Sequence, residues 1–365
     1  MGVRILHCAD VHIGASAGIK RISTRRKAEV LQTFLRIVSY AEENQADLLL
    51  IAGDLFDSHK PSKDILEQIS SAFSEFSGKV FITPGNHDYY GENTFWESWE
   101  LPENVMVFKN EAEGLELSEL GVKIHGGGFS DVYRNDHILK QMRADESMIN
   151  IAVIHGDISS DTPYGPVTVE EIQNSNMDYI ALGHIHKRSD IIKEGKTSYA
   201  YSGCPEGQGF DELYEKGFYF GTVEKGKVEM SFIPICRRRF VEEEVDVSTA
   251  LKKSDIKNII LHKIDEKYGD EGKDWLYKIV LTGESAVSFS ATELGAELES
   301  ELYFVKIKNK VKTPLKDLTL IAEENSVRGI FVRKMLERAE RGENIENAVR
   351  IGLAAFSEEV DFDED

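Results

Sequence analysis

The stretch "FITPGNHDYY", Phe81 to Tyr90, decides how the rest of the chain is read. A short apolar run, Phe81 and Ile82, ends in a Pro-Gly turn, and Asn86, His87 and Asp88 follow without a gap. One turn therefore delivers an amide, an imidazole and a carboxylate just past a strand. The same arrangement recurs along the chain. The apolar runs in "VRILHCADVH", "ADLLLIAGDLFD", "MINIAVIHGD" and "MDYIALGHIH" end in Asp10-x-His12, Gly53-Asp54, His155-Gly156 and His184-x-His186. Such continuous apolar runs suit strands covered on both faces. Between the first two, "RRKAEVLQTFLRIVSYAEEN" places Val30, Phe34, Ile37, Val38 and Ala41 on one helical stripe, and residues 63–76 read as a second helix. Strands alternating with helices indicate an α/β fold.

Ligands of open α/β sheets gather at the carboxyl ends of strands, so the five motifs are expected to converge in one cleft. The single residue between Asp10 and His12, and between His184 and His186, puts both members of each pair on one side of an extended segment. Any one motif alone is a weak signal, but packing does not explain five in order. Each buried polar group left without a partner costs about 1–3 kcal/mol, and metal ions supply partners. Imidazole, carboxylate and amide oxygen without thiolate suit Mn, Fe or Zn. Seven ligands exceed one tetrahedral site. They fit two metals sharing a carboxylate, the usual clamp for in-line displacement at phosphorus.

The series "DVH", "GDLFD", "GNHD", "HGD", "LGHIH" resembles the calcineurin-like metallophosphoesterases. Within them, "CADVHIG", "IAGDLFDSHKPS", "TPGNHDYY", "ALGHIH" and "YSGCPEGQGFDE" are similar to the SbcD family of DNA double-strand-break repair nucleases. "IAEENSVRGIFVRKMLERA" and "ENAVRIGLAAF" look most like its YhaO-type branch. The resemblance is specific over residues 3–212 and looser beyond 240. It implies a sandwich of two mixed sheets flanked by helices, with a smaller α+β cap domain and C-terminal helices. It also implies that Asp10, His12 and His186 hold a first metal, that Asn86, His155 and His184 hold a second, and that Asp54 bridges. His87 would assist the leaving group, and Asp88 would either orient an imidazole or serve as a simple turn acid. Mn2+ is the expected ion, with Fe2+, Zn2+ and Mg2+ as alternatives. Where some relatives carry a second His three places after the bridging Asp, this chain has Asp57, with His59 two further on.

Of 365 residues, 41% are hydrophobic, which suits a globular chain of more than one domain. Residues 1–240 are expected to form the nuclease domain, 241–322 the cap, and 323–365 a helical segment ending in a frayed acidic tail, "EEVDFDED". "KGFYFGTVEKGKVEMSFIPI" reads as a hairpin turning at Lys225-Gly226. Cys8, Cys204 and Cys236 are odd in number and unpatterned, which suits a reducing cytoplasm and not a zinc motif. The start shows neither a signal-peptide pattern nor a myristoylation site, and no run is long enough to span a membrane. A net charge of −21 argues against a protein that coats nucleic acid, so any DNA contact must be local. The expected phosphate contacts are Arg25 and Arg26 in "GIKRISTRRK", Lys187 and Arg188 in "HKRS", and, less strongly, Arg237, Arg238 and Arg239.

The expected function is a two-metal DNA exonuclease, with endonuclease activity as a further possibility, in double-strand-break repair. The resemblance implies an SMC-like ATPase partner of the SbcC kind, docked on the C-terminal helices, and allows a homodimer. The alternative is a phosphoesterase of the same fold acting on a small phosphodiester or phosphomonoester. A non-catalytic scaffold is the third reading.

Overall fold

Alternate side chains of the central strands face two different cores, and this is why the apolar runs are continuous. The computed structural model describes residues 2–356 apart from 17, 160 and 286; the acidic tail lies outside the described residues. The chain divides into two compact units, Met1–Arg239 and Phe240–Asp365.

The larger unit begins with β1 (Val3–Cys8), α1 (Ser23–Glu43), β2 (Leu48–Ile51), α2 (Lys63–Glu75), β3 (Lys79–Ile82) and β4 (Val105–Val107). There follow β5 (Glu113–Leu117), β6 (Val122–Gly126), β7 (Ile149–His155), α3 (Val169–Asn174), β8 (Tyr179–Gly183), β9 (Ile192–Glu194), β10 (Thr197–Tyr201), β11 (Gly217–Glu224) and β12 (Lys227–Pro234). They form two mixed six-stranded sheets, ordered β12-β11-β1-β2-β3-β4 and β5-β6-β7-β8-β10-β9. The strands that carry the motifs are parallel to their motif-bearing neighbours: β1 with β2, β2 with β3, and β7 with β8. All of their motif-bearing ends therefore point one way within each sheet.

Ile5, Leu48, Leu50 and Phe81 of the first sheet meet Ile151, Val153, Tyr179 and Ala181 of the second in one buried core. The alternate residues Leu6, Cys8, Leu49 and Ile51 pack outward on Val30, Phe34, Ile37 and Val38 of α1 and on Ile69 and Phe73 of α2. On the other outer face, Ala152, Ile154, Ile180 and Leu182 pack on Ile172 of α3. The helical stripe read from spacing is thus the buried face of α1. The hairpin of β11 and β12 turns at Lys225-Gly226, with Glu224 opposite Lys227.

The smaller unit starts with β13 (Phe240–Asp246), α4 (Lys253–Tyr268), β14 (Leu276–Thr282), α5 (Ala291–Leu298) and β15 (Phe304–Asn309). Its expected mixture of strands and helices is arranged as an all-parallel sheet, β13-β14-β15, with helical crossovers. Ile256, Ile260 and Ile264 of α4 and Leu294 and Leu298 of α5 fill its core. Three helices follow: α6 (Leu315–Glu323), α7 (Val327–Glu340) and α8 (Glu346–Ala355). They share a small core of Leu318, Ile321, Val332 and Val349. Gly342, at φ +85°, lies in the break between α7 and α8.

The two sheets touch by main chain at Gly183, the last residue of β8. A Cβ there would lie 1.7 Å from the carbonyl oxygen of Ala52, just past β2. Gly183→Ala must push the sheets apart at the ends that carry Asp54 and His184. Overpacking of this kind costs about 1–3 kcal/mol. A lowered melting temperature and weaker metal retention are expected together; an unchanged melt would contradict the contact.

Candidate metal centre

The parallel strand ends of both sheets bring the five motifs to one place. Asp10 and His12 follow β1, and Asp54 follows β2. The two loops are joined by main-chain bonds, Asp10 N–H to Gly53 O at 3.1 Å and His12 N–H to Asp54 O at 2.9 Å. Asn86, His87 and Asp88 follow β3, His155 ends β7, and His184 and His186 follow β8. Asp10, His12, Asp54 and His184 all have left-handed backbone, at φ +50°, +50°, +48° and +95°. Such conformations are uncommon outside glycine and cluster at functional sites. Gly53 is required for a different reason: at φ +91°, a Cβ would lie 2.1 Å from Nδ1 of His155.

Asp10, His12 and His186 present ligand atoms within 4.8 Å of one another, and so do Asp10, Asp54 and His155. Asp10 and Asp54 therefore stand between two sets of imidazoles. Asn86 joins the second set, its Oδ1 lying 3.0 Å from Nε2 of His155. His184 stands slightly apart, with its ring 5.2 Å from that of His155 and stacked on Tyr164. Its backbone N–H donates to Asp10. His87 donates its backbone N–H to Asp54 Oδ1 at 2.9 Å, while its side chain is 45% exposed, with the ring 4.7 Å from that of His12. It is the most exposed imidazole of the group, whose other members are buried or partly buried.

Two contacts show that cations fit here. Nδ1 of His155 lies 3.0 Å from the carbonyl oxygen of Ala52, so Nδ1 carries the proton. In the neutral ring Nε2 is then a lone pair facing the Asn86 oxygen at 3.0 Å, and these two acceptors call for a cation between them, a proton or a metal ion. Likewise Nδ1 of His186 donates to Glu212, which in the neutral ring leaves Nε2 bare, 3.1 Å from Nε2 of His12. Such pairs of acceptors suit a shared metal ion. The electrostatics agree. Burial, helped by Asp54, raises the Asp10 carboxyl above its ordinary value. Burial opposes protonation of His155, but Asp54 and Asp10 override it and push the imidazole up to about 9. The buried acids thus draw positive charge into the site.

Several roles differ from expectation. Of the two readings of Asp88, the geometry matches the turn acid and not the imidazole-orienting one: its oxygens accept the backbone N–H groups of Gly85, at 2.8 Å, and Phe56, at 3.1 Å. It ties the 85–88 turn to the loop after Asp54. Arg26 cannot reach phosphate, because it is fully buried on Glu29 and Glu206, at 2.9 Å each. Arg238 is buried on the same Glu29 at 2.8 Å, and Arg239 pairs with Glu215. Arg25, Lys187 and Arg188 are exposed, with Arg188 lying over the Phe232 ring. Asp57 lies 3.4 Å from Nδ1 of His12 and 3.8 Å from Nδ1 of His87, whereas His59 packs on Tyr89. Cys204 is a buried thiol against Glu212. Glu206, Glu212 and Tyr164 carry no spacing signal and were not singled out in the sequence. Only the run of polar residues in "CPEGQGFDE" hinted at the first two.

Residues 3–188 match the family described as calcineurin-like phosphoesterase. The chain is similar to a metallophosphoesterase of Bacillus subtilis, YhaO, at 29% identity over 62% of this chain and 59% of that protein. It is also similar to a DNA double-strand break repair protein, Mre11, of Methanopyrus kandleri, at 26% identity over 64% of this chain and 57% of that one. The alignments thus span under two thirds of both relatives. Among solved structures, a dimetal phosphatase from Danio rerio aligns with 64% of this chain and 99% of its own, at 11% identity and a TM-score of 0.40.

Asp88→Asn leaves a side-chain NH2 facing one of the two backbone donors, a loss of about 1–3 kcal/mol. The variant is expected to melt at lower temperature without metal and to bind metal more weakly. Calorimetry on the metal-free and metal-titrated protein checks both.

Proposed function

Because the chain belongs to the calcineurin-like phosphoesterase family, whose members use a dimetal site, we propose that it is a two-metal DNA nuclease of the SbcD kind, cutting phosphodiesters at or near DNA ends. The observation that carries the hydrolytic reading is His87, exposed at the rim of buried Asp10, His12, Asp54 and His155 and partly buried Asn86 and His186. The nucleic-acid part rests on the motifs across residues 3–212 and on the similarity to a protein described as acting in DNA break repair.

Asp10, His12 and His186 would hold one ion, Asn86, His155 and His184 the other, with Asp54 shared; Mn2+ is the proposed metal. The ions would neutralise the phosphoryl oxygens and activate a water for in-line attack. As the new P–O bond forms and the P–O bond to the sugar breaks, His87 gives its proton to the departing sugar oxygen. An imidazole is suited to that transfer near neutral pH. Asp57 stands close enough to hold His87 in place. Arg25, Lys187 and Arg188 are the proposed backbone contacts, without Arg26. We further propose an SMC-like ATPase partner and an intracellular setting. The apolar residues exposed on α6 to α8, namely Leu320, Val327, Ile330 and Ile351, with Phe356 just past α8, support a docking role for those helices. No described helix is long and apolar enough to cross a membrane.

End-labelled linear duplex and single-stranded DNA, incubated with Mn2+, Mg2+ or EDTA, should be cut by the wild type with Mn2+ and left intact with EDTA. His87→Asn should lower kcat by about 10²- to 10⁴-fold while metal content stays the same. Turnover of a small cyclic phosphodiester with no cutting of DNA would favour the alternative substrate class. Removing residues 326–365 should abolish co-purification with the ATPase; retained binding would refute docking through those helices.

A further inference from the structure

We infer that Glu212 is a positioning residue for the metal centre, fixing the tautomer and ring plane of His186 and thereby controlling one of the two metal positions. The inference rests on the dimetal reading above.

One oxygen of Glu212 accepts the Nδ1–H of His186 at 2.5 Å. The other accepts the backbone N–H of Gln208 at 2.8 Å and faces the Cys204 thiol at 3.3 Å. The carboxylate is therefore held by three donors and cannot swing away from the imidazole. The backbone of His186 is pinned as well, its carbonyl accepting from the Cys204 N–H at 3.2 Å and from Lys216 Nζ at 3.0 Å. A neutral ring that donates from Nδ1 presents a bare Nε2, the form a metal ion requires. Here that nitrogen looks toward His12, 3.1 Å away, within the group completed by Asp10.

His155, on the far side of the centre, is held differently. His155 donates from Nδ1 to a neutral main-chain carbonyl, that of Ala52. His186 donates to an ion. A hydrogen bond to a charged acceptor is about twice as strong as one between neutral groups, and it makes the imidazole a better donor to metal. The two metal positions are thus supported unequally, and Glu212 supplies the difference on one side only.

The segment that presents Glu212 is anchored at its other end by Glu206. That carboxylate accepts from Arg26 at 2.9 Å, from the Thr33 hydroxyl at 2.7 Å and from the Arg237 N–H at 2.5 Å. The charged groups of "CPEGQGFDE" therefore do separate work. Glu206 fixes the segment to α1, and Glu212 reaches the metal ligand.

Calorimetric titration with Mn2+ tests this on the full chain. The wild type should take two ions. Glu212→Gln should weaken one of them by about 10-fold or more and leave the other unchanged, with a lower metal-free melt because its NH2 faces one of the donors that held the carboxylate. Equal weakening of both ions, or weakening of neither, would overturn the positioning role; a wild type that binds fewer than two would overturn the dimetal reading and this inference with it. A second measurement needs no variant at position 212. In Zn2+-loaded wild type, nitrogen NMR of labelled histidine should show His186 protonated at Nδ1 and metal-bound at Nε2. The reverse tautomer would sink the inference.

Discussion

The structure is organised around two carboxylates, Asp10 and Asp54, at the ends of neighbouring parallel strands with almost no access to water. Such a pair repels itself, and a protein interior does little to screen it. Everything nearby answers that charge. His155 and His12 come close to Asp54, the backbone N–H of His184 points at Asp10, and that of His87 points at Asp54. Two cations would complete the neutralisation, so the demand for metal is built into the fold.

Holding these groups requires a backbone that would not form by itself. Four of the proposed ligands sit in the left-handed region, at a cost of about 1–3 kcal/mol each. The cores above and below the two sheets offset this, since nearly every residue of β1, β2, β7 and β8 is buried. Ordinary packing of Leu, Ile and Val thus maintains an uncommon arrangement at the strand ends.

Much of this was legible in the sequence because both signals are periodic or local. Continuous apolar runs marked β1, β2, β3, β7 and β8, and polar residues just beyond them marked the site. The short strands β4, β5 and β9 were not legible, since three to five half-exposed residues carry no pattern. Arg26 failed for a related reason. In sequence it belongs to a basic cluster, yet its partner Glu206 is 180 residues away, and only the fold brings that acid to it. The same holds for Glu212 and His186: spacing reveals neighbours along a strand or helix, not partners across loops.

The pinch at Gly183 separates two properties that usually move together. The sheets approach there through main chain, the Ala52 carbonyl against Gly183, with only the small Ala9 methyl beside the contact. Core substitutions elsewhere can soften the sandwich and still leave the distance between the two ligand-bearing edges set by peptide groups. The sandwich can therefore drift in composition and in thermal tolerance while the reach between its two halves of the reaction centre stays constant, much as a hinge pin fixes the gap between two plates whatever the plates are made of.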